Sequence, residues 1–302
     1  MGSSAETARF IHQNMEFVSA VLSPPKDSVT AFALGSATSL SGGEVREDGK
    51  VSYGFSLLRG KRGSMEDFHC AQYKKDPRTG QVVGLFGIFD GHGGPNAADY
   101  VRSNLFVNMM QSNKFISDLP ACVAEAYEAT DHQYLRQDSP GGREDGCTAV
   151  TAVLVGQRLL VANVGDSRAV LSRGGRAVAL SVDHKPNLKE ERARIESAGG
   201  VVVWAGTWRV GGVLAVSRAF GDRPLKRFVV ATPALADESL TSEDEFLILA
   251  SDGLWDVMTN QEAVTLIRDI PDAEKAAKRI TEEAYNRGSN DNISCVVVRF
   301  KR

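Results

Sequence analysis

The sequence predicts an α+β fold in which antiparallel sheets carry helices on their outer faces. Two short turns, Gly156-Gln157 and Gly174-Gly175, separate pairs of strand patterns in the manner of β-hairpins. Helical patterns come in pairs between groups of strands, so the strict β-α-β alternation of a parallel sheet is missing. The chain has 302 residues and is 42% hydrophobic, which is enough for a large core.

Each predicted element follows from a local pattern. Apolar or alternating runs predict strands, and a period near 3.6 residues predicts helices. Asp272 after Pro271 is a good start for the last helix, because Asp is a favourable N-cap residue. The predicted strands are Tyr53–Leu58, Val82–Asp90, Thr148–Val155, Arg158–Val164, Ala169–Ser172, Ala177–Ser181, Glu245–Ser251 and Ile293–Phe300. The predicted helices are Asn96–Met110, Leu119–Tyr134, Leu188–Ser197, Asn260–Asp269 and Ala273–Asn286.

The first 50 residues differ from the rest and are interpreted as a partly flexible N-terminal extension. Thr7–Leu22 has the spacing of a short amphipathic helix, and Ser36–Gly43 is rich in Ser, Gly and Thr, which is typical of a flexible linker. Residues 51–302 are predicted to form one catalytic domain. The acid-bearing strand ends described below are spread over most of that range, so a shared site leaves no room for a domain boundary between them.

Bulk properties exclude several classes of protein. A net charge of -3 offers no electrostatic footprint for nucleic acid. No apolar stretch approaches the length of a bilayer span, and the N-terminus lacks the layout of a secretory signal. The four cysteines are scattered without metal-ligand or disulfide spacing. We therefore expect no nucleic acid or membrane partner, reduced thiols, and a location in the cytoplasm, the nucleus or both.

Three buried strand patterns end in an acid beside a glycine. The run Val82–Ile88 leads into Phe89-Asp90-Gly91-His92-Gly93-Gly94, and two further strands lead into Gly165-Asp166 and Asp252-Gly253. One such ending would be an ordinary turn. Three of them predict a single acidic mouth built from several strand ends.

Two further acids stand at positions that can join this mouth. Glu66 lies in Ser64-Met65-Glu66-Asp67, and Asp291 opens the last strand, whose start lies at the same edge as the end of an antiparallel neighbour. Like-charged carboxylates gather in a cleft only when cations neutralise them. Oxygen ligands without thiols select hard ions such as Mg²⁺ or Mn²⁺. A pair of such ions can hold a hydroxide and clamp a phosphoryl group for in-line attack, and no nucleophile elbow, P-loop or kinase loop offers another route.

The motifs resemble, in order, those of the metal-dependent protein serine/threonine phosphatases of the type 2C family. The resemblance covers residues 52–300, and Asp183-His184-Lys185-Pro186 is similar to the corresponding motif of plant members. It implies a central β-sandwich of two antiparallel sheets flanked by pairs of helices, a four-layer αββα arrangement. The matching segments are Arg62–Asp67, Phe89–Gly94, Asp145–Ala149, Asn163–Arg168, Asp183–Pro186, Leu214–Asp222, Ser251–Asp256 and Asn290–Asn292.

The resemblance also implies a ligand set for two Mg²⁺ or Mn²⁺ ions, which would activate a bridging water for in-line attack. Asp90 would bridge both ions. Asp252 and Asp291 would complete one site, and Glu66 with the Gly91 carbonyl would complete the other.

The remaining roles follow from the same resemblance. Asp166, together with Asp252, would hold a weaker third ion, and Asp67 would support the ligands from behind. Arg62 would grip the substrate phosphate, and His92 would protonate the leaving alkoxide as a general acid. The implied substrates are phosphoserine and phosphothreonine proteins, with protein kinases as one candidate class, and the implied enzyme is a monomer.

Structural alternatives stand beside these roles. Asp90, Asp252 and His92 could be turn residues, Asp166 could belong to an ordinary hairpin turn, and Arg62 could lie in a solvated basic loop. The functional alternatives are a catalytically weak scaffold that binds phosphoproteins and a hydrolase of small phosphoesters. A missing metal ligand would favour the scaffold, and none is missing.

Other motif residues are expected to be structural. His184 and Lys185 are expected to stabilise the start of a helix, Trp255 to lie in the core, and Cys147 to be a packed small residue. The pair Trp204 and Trp208 is interpreted either as a packed flap or as a surface for substrate and partners.

Overall fold

The computed structural model describes residues 30–34, 37–137 and 144–301. The strands are β1 (Thr30–Leu34), β2 (Ala37–Val45), β3 (Val51–Leu58), β4 (Phe68–Lys75), β5 (Val82–His92), β6 (Gly146–Val155), β7 (Arg158–Val164), β8 (Arg168–Arg173), β9 (Arg176–Ala179), β10 (Val202–Trp204), β11 (Trp208–Val210), β12 (Phe220–Gly221), β13 (Ala234–Ser239), β14 (Asp244–Ala250) and β15 (Ile293–Phe300). The helices are α1 (Asn96–Gln111), α2 (Lys114–Ser117), α3 (Leu119–Leu135), α4 (Lys189–Ser197), α5 (Asp252–Trp255), α6 (Asn260–Ile267) and α7 (Ala273–Asn286), with a 3₁₀ turn at Arg223–Leu225.

Two antiparallel sheets form the centre of the molecule. The first has the order β1-β2-β3-β15-β14-β8-β9, and the second has the order β13-β7-β6-β5-β4 with β12 attached to β6. The hairpin turns predicted from the sequence are confirmed, since Val155 pairs with Arg158 and Arg173 pairs with Arg176. Gly156 and Gly174 adopt positive φ angles of 62° and 57° there, a conformation that glycine reaches without strain.

The sheets pack face to face, and alternation along β5 shows how. Phe86 and Ile88 belong to the cluster between the two sheets, whereas Leu85 and Phe89 point the other way, toward the outer helices. Because side chains alternate with a period of two, a strand covered on both faces is apolar at every position. This explains the unbroken hydrophobic run that precedes Asp90 in the sequence.

Pairs of helices cover the outer faces. Helices α1 and α3 pack on the second sheet through residues such as Val101 and Tyr127, while α6 and α7 pack on the first. In α7 the buried positions Ala276, Ile280 and Ala284 follow each other at four-residue spacing, which gives one apolar face. The order helix, sheet, sheet, helix confirms the predicted α+β sandwich.

The structure differs from the sequence prediction near the N-terminus of the described chain and in several strands that were not predicted. Residues 37–43 were expected to be a flexible linker, which is wrong, because they belong to β2 and pair with β3 from Ser39↔Leu58 to Val45↔Ser52. Small residues such as Gly42 and Gly43 leave this strand without the apolar alternation that predicts a strand. The strands β1, β4, β10, β11, β12 and β13 were also missed. The helix predicted over Thr7–Leu22 lies outside the described residues, and the domain boundary at residue 51 stays a prediction.

Within the described ranges, no helix combines the length and apolar character that crossing a bilayer requires.

Candidate active site

The acid-bearing turns meet at one edge of the sandwich and draw on both sheets. Asp90 lies near the end of β5, which continues to His92. Asp166 lies in the connection from β7 to β8, and therefore between the second sheet and the first. Asp252 begins α5 after β14, and Asp291 lies just before β15. These four acids and His92 line one cavity of about 300 Å³.

Three of the carboxylates are mutually close. Oxygen atoms of Asp90, Asp166 and Asp252 all lie within 4.8 Å of one another. Burial raises the pKa of Asp90 well above its ordinary value, and the negative charges of Asp67 and Asp252 add to that rise. Burial and then the charges of Asp166 and Asp291 do the same to the pKa of Asp252. Such a cluster is unfavourable unless protons or cations neutralise it.

The donor set of this cluster suits a hard divalent cation. It consists of carboxylate oxygens, with no thiol or imidazole among the three clustered side chains. Mg²⁺ and Mn²⁺ prefer oxygen ligands of this kind. Gly91 and Glu66 line the same cavity and offer a further carbonyl and carboxylate. The residues therefore fit the metal ions that the sequence prediction requires.

Asn292 organises the loop that carries Glu66. Its side-chain NH₂ donates to the carbonyls of Arg59 and Ser64, each at 2.9 Å, and its side-chain oxygen accepts from the Glu66 backbone N–H at 2.8 Å. The Glu66 carboxylate in turn accepts from the Ser64 hydroxyl at 2.9 Å and from the Gly94 backbone N–H at 3.0 Å. Sequence reasoning assigned Asn292 no role, although it stands next to Asp291 in the motif.

Two glycines permit the close approach of the backbone segments in the site. A Cβ atom on Gly253 would overlap the carbonyl of Asn292, and a Cβ atom on Gly91 would come within 2.5 Å of the Glu66 carbonyl. The glycine that follows Asp252 and the one that follows Asp90 are thus required for packing. This is the physical reason for the acid-glycine pairs that the sequence repeats.

Asp67 lies behind the cavity. It is 4% exposed, it is not among the described residues that line the cavity, and its carboxylate accepts from the Ser251 hydroxyl at 2.9 Å. Burial raises its pKa from 3.8 to about 6. Its role in supporting the ligands stays a prediction.

Arg62 reaches the cavity from its basic loop. Its Nη2 atom donates to Asp291 Oδ2 at 2.6 Å, and its Nε atom donates to the Asn290 carbonyl at 3.3 Å. The side chain is 58% exposed and lines the cavity. The loop is therefore solvated, as the structural alternative expected, and it nevertheless presents a guanidinium group to the acidic site.

His92 forms a close pair with Asp222. Its Nε2 atom lies 3.0 and 2.9 Å from the two carboxylate oxygens of Asp222. Burial alone would lower the pKa of His92, but the hydrogen bond and charge of Asp222 outweigh burial and raise it. The sequence motif contained Asp222 without a role, since nothing in the local pattern shows that residues 130 positions apart meet.

The prediction for Lys185 is wrong. Its ammonium group forms an ion pair with the Asp166 carboxylate inside the site, and neither it nor His184 caps α4, which begins only at Lys189. Burial lowers the pKa of Lys185, but the charge of Asp166 outweighs burial and the net shift is upward. His184 accepts from the Gly165 backbone N–H at 3.2 Å and so ties its loop to the β7–β8 connection.

The remaining structural expectations have clear outcomes. Trp255 is buried, with its indole N–H donating to the Ala250 carbonyl at 2.9 Å, and Cys147 is fully buried, so both predictions are confirmed. Trp208 is half-buried on β11 and packs edge-on against Trp204, with ring centroids 5.6 Å apart. Trp204 itself is 64% exposed. The pair is therefore a partly packed hairpin with one open aromatic surface.

Known proteins share this fold and these segments. A solved serine-threonine phosphatase 2C from Toxoplasma gondii matches over 92% of this chain and 100% of its own, with a TM-score of 0.76 and 23% identity, which establishes the likeness of fold. The family model "Protein phosphatase 2C" matches residues 51–293. The chain belongs to the protein phosphatase 2C family and is a metal-dependent protein serine/threonine phosphatase.

Its relatives place it among the plant-type members. It is 60% identical over 261 residues to "Probable protein phosphatase 2C 59" of Arabidopsis thaliana, covering 86% of this chain and 83% of that protein. It is 58% identical over 261 residues to "Probable protein phosphatase 2C 45" of Oryza sativa subsp. japonica, covering 86% of this chain and 92% of that protein.

Proposed function

We propose that the acidic cavity hydrolyses phosphoserine and phosphothreonine with two divalent cations, either Mg²⁺ or Mn²⁺. The observation that carries this proposal is the set of carboxylate oxygens of Asp90, Asp166 and Asp252 within 4.8 Å of one another. Asp90 would be the ligand that both cations share. Asp252 and Asp291 serve one cation, and Glu66 serves the other.

The cations, when bound, supply Lewis-acid activation of the attacking water and neutralise the carboxylates. The chain's own contribution is to hold the ligands in place. The Gly91 carbonyl is part of the second cation's ligand set, and the contacts of Asn292 hold the Glu66 loop against the site. Asp67 supports the cluster from behind through Ser251.

Arg62 binds the phosphate in this proposal. One of its guanidinium nitrogens already donates to a carboxylate oxygen of Asp291, and its planar guanidinium group can bind two phosphate oxygens in the same way. With Asp291 engaged as a cation ligand, the Arg62 guanidinium would be available for the substrate phosphate. Arg62 is well placed for this exchange because it is half exposed at the cavity rim.

His92 donates the proton to the leaving serine or threonine oxygen. It lines the cavity, and its raised pKa favours the protonated form that a general acid needs. The leaving alkoxide is strongly basic, so this proton matters more for a phosphopeptide than for an aryl phosphate.

Asp166, together with Asp252, would hold a third, weaker cation, in competition with the ammonium group of Lys185. We expect cation binding to be weaker at this position than at the other two, since one positive charge already neutralises Asp166. Protein kinases are one candidate class of substrate, and we place the enzyme, as a monomer, in the cytoplasm or the nucleus.

The decisive experiment measures phosphate release from phosphoserine and phosphothreonine peptides with Mg²⁺, with Mn²⁺ and with EDTA. Asp90→Asn and Asp252→Asn should fall to the level of the EDTA sample. Asp237→Asn is the matched control, because Asp237 is paired with Arg158 on the far edge of the sheet. Activity that survives EDTA or the two site substitutions contradicts the metal mechanism. Faster turnover of nucleotides or sugar phosphates than of phosphopeptides contradicts the proposed substrate class.

A further inference from the structure

Asp222 contacts the proposed general acid from outside the cation cluster. It lies between β12 and the 3₁₀ turn, it is 5% exposed, and both of its oxygens lie within 3.0 Å of His92 Nε2. No described residue forms a hydrogen bond with Nδ1, the other ring nitrogen of His92. A carboxylate that takes one ring nitrogen selects the tautomer and the orientation of the ring.

The backbone is built to present this carboxylate. Asp222 has φ 50° and ψ 47°, and among the described residues it is the one non-glycine residue with positive φ. A left-handed conformation is unfavourable for an L-residue, so its persistence requires support from the surroundings. The Asp222 N–H donates to the Asp145 carbonyl at 3.1 Å, and the Gly221 N–H donates to buried Asp131 at 2.8 Å. Lys226 neutralises Asp131 with a contact of 2.9 Å.

A missing side chain makes room for the pair. Gly146 pairs with His92 across β5 and β6 and with Gly221 across β6 and β12. A Cβ atom on Gly146 would overlap both the Asp222 carboxylate and His92 Nε2. Strain at Asp222 and the gap at Gly146 therefore serve the same contact.

We propose that Asp222 is the positioning residue for His92: it holds the Nε2–H, so that Nδ1 is the nitrogen that delivers the proton to the leaving oxygen. This inference rests on the proposed general-acid role of His92. It adds the residue that orients the ring and the atom that reacts.

The proton balance is simple. As water forms the new P–O bond, the bond from phosphorus to the seryl or threonyl oxygen breaks, and its electron pair goes to that oxygen. The Nδ1–H of the protonated ring moves to the oxygen, which leaves as the alcohol. The ring is then neutral and keeps its Nε2–H on Asp222, so it remains in the same orientation for the next turnover. The attacking water keeps one proton on the phosphate product and releases the other to solvent, and solvent returns one proton to Nδ1, so the cycle balances.

The test compares a substrate that needs a proton with one that does not. A phosphothreonine peptide has a poor leaving group, and p-nitrophenyl phosphate has a good one. We expect Asp222→Ala to lower kcat for the peptide by about 10- to 100-fold, at or below the lower end of the range for loss of a general acid itself, with KM and kcat for the aryl phosphate changed by less than about threefold. Asp222→Asn should keep more activity than Asp222→Ala, because an amide oxygen can still accept the Nε2–H. Asp237→Asn is the control for loss of an acid elsewhere.

A double-mutant cycle with His92→Ala separates positioning from general damage. In that background, Asp222→Ala should cause no further loss on the peptide. Circular dichroism and thermal unfolding check the fold, and Asp222→Asn serves as the isosteric variant if Asp222→Ala does not fold.

Three results overturn the inference. The first is an equal loss of kcat on the peptide and on the aryl phosphate in Asp222→Ala or Asp222→Asn. The second is a ratio of peptide to aryl phosphate activity that stays at the wild-type value in both variants. The third is a double variant in which the losses of Asp222→Ala and His92→Ala on the peptide simply add. The general-acid role of His92 is tested separately by the single variant His92→Ala. If His92→Ala affects both substrates alike, the general-acid role fails first and the role of Asp222 fails with it. Selective loss in His92→Ala without selective loss at Asp222 refutes the positioning role alone.

Discussion

Neutralising Asp252 should stabilise the metal-free protein, although it removes a proposed metal ligand. Asp252 lies within 4.8 Å of acidic oxygens from Asp90 and Asp166. Two unit charges at 4.8 Å repel each other by about 3 kcal/mol at an effective dielectric constant of about 20. The pKa values of Asp90 and Asp252 are raised, so bound protons already relieve part of this repulsion. We therefore expect Asp252→Asn to raise the free energy of unfolding by on the order of 2 kcal/mol.

The assay is thermal or urea unfolding at pH 7.5 after exhaustive removal of metal with EDTA. A gain of about 2 kcal/mol corresponds to a rise in Tm of about 4–8 °C for a domain of this size. Added Mn²⁺ should reverse the order, because a ligand that binds only the folded state stabilises it more the more tightly it binds, and the variant binds Mn²⁺ less tightly. The wild type should then be the more stable protein.

The control is again Asp237→Asn. Asp237 forms a 2.6 Å ion pair with Arg158 outside the cluster, with both side chains about two-fifths exposed. Its neutralisation should change the stability by less than about 1 kcal/mol and should not depend on Mn²⁺. A metal-free Asp252→Asn protein that is less stable than the wild type refutes the argument from repulsion.

Three further predictions concern the fold. Burial alone would raise the pKa of Glu191, but hydrogen bonds, chiefly from Arg218, lower it from 4.5 to about 2; Glu191→Gln should therefore cost about 3 kcal/mol at pH 7, and the difference should disappear as the pH falls from 4.5 toward 2 in urea titrations. A Cβ atom on Gly54 would overlap the backbone of Glu274 in α7, so Gly54→Ala should lower the free energy of unfolding by about 1–3 kcal/mol. Thr259 caps α6 in a capping box, and Thr259→Ala should cost about 1 kcal/mol by the same measurement.

Matched variants control for these three changes. Glu190 is exposed next to Glu191, so Glu190→Gln should stay within about 0.5 kcal/mol of the wild type. Gly63 has open space around its Cβ position, so Gly63→Ala should also be close to neutral. A pH-independent loss in Glu191→Gln, equal losses in the two glycine variants, or an unchanged stability in Thr259→Ala would each contradict the corresponding reasoning.

Much of the site could be predicted because its residues lie in short motifs, each with an acid beside a glycine at the end of a strand. Asp90, Asp166 and Asp252 each stand beside a glycine at the end of an apolar strand, and the structure brings all three within 4.8 Å. The glycines are part of the same signal, since Gly91 and Gly253 permit the backbone contacts that close the site. A local pattern of this kind is visible without knowing which strands are neighbours.

Residues that act through distant partners were not predictable in the same way. Lys185 was assigned to a helix start, yet it pairs with Asp166 across a loop, and Asp222 meets His92 from 130 positions away. Strand β2 was taken for a linker because small polar residues carry no apolar alternation. Its pairing with β1 and β3 comes from backbone hydrogen bonds between neighbouring strands, which any residue except proline can make.

The sequence by itself determined the fold class, the family and the acidic core of the site, because strand periodicity, turn chemistry and the acid-glycine pairs are local properties of the chain. Tertiary structure alone decided which groups surround those acids: the ammonium of Lys185 on Asp166, the amide of Asn292 on the Glu66 loop, and the carboxylate of Asp222 on His92. The physical reason is that electrostatic contacts depend on distances between side chains. Those distances exist only after the two sheets have packed against each other and the loops have closed over their common edge.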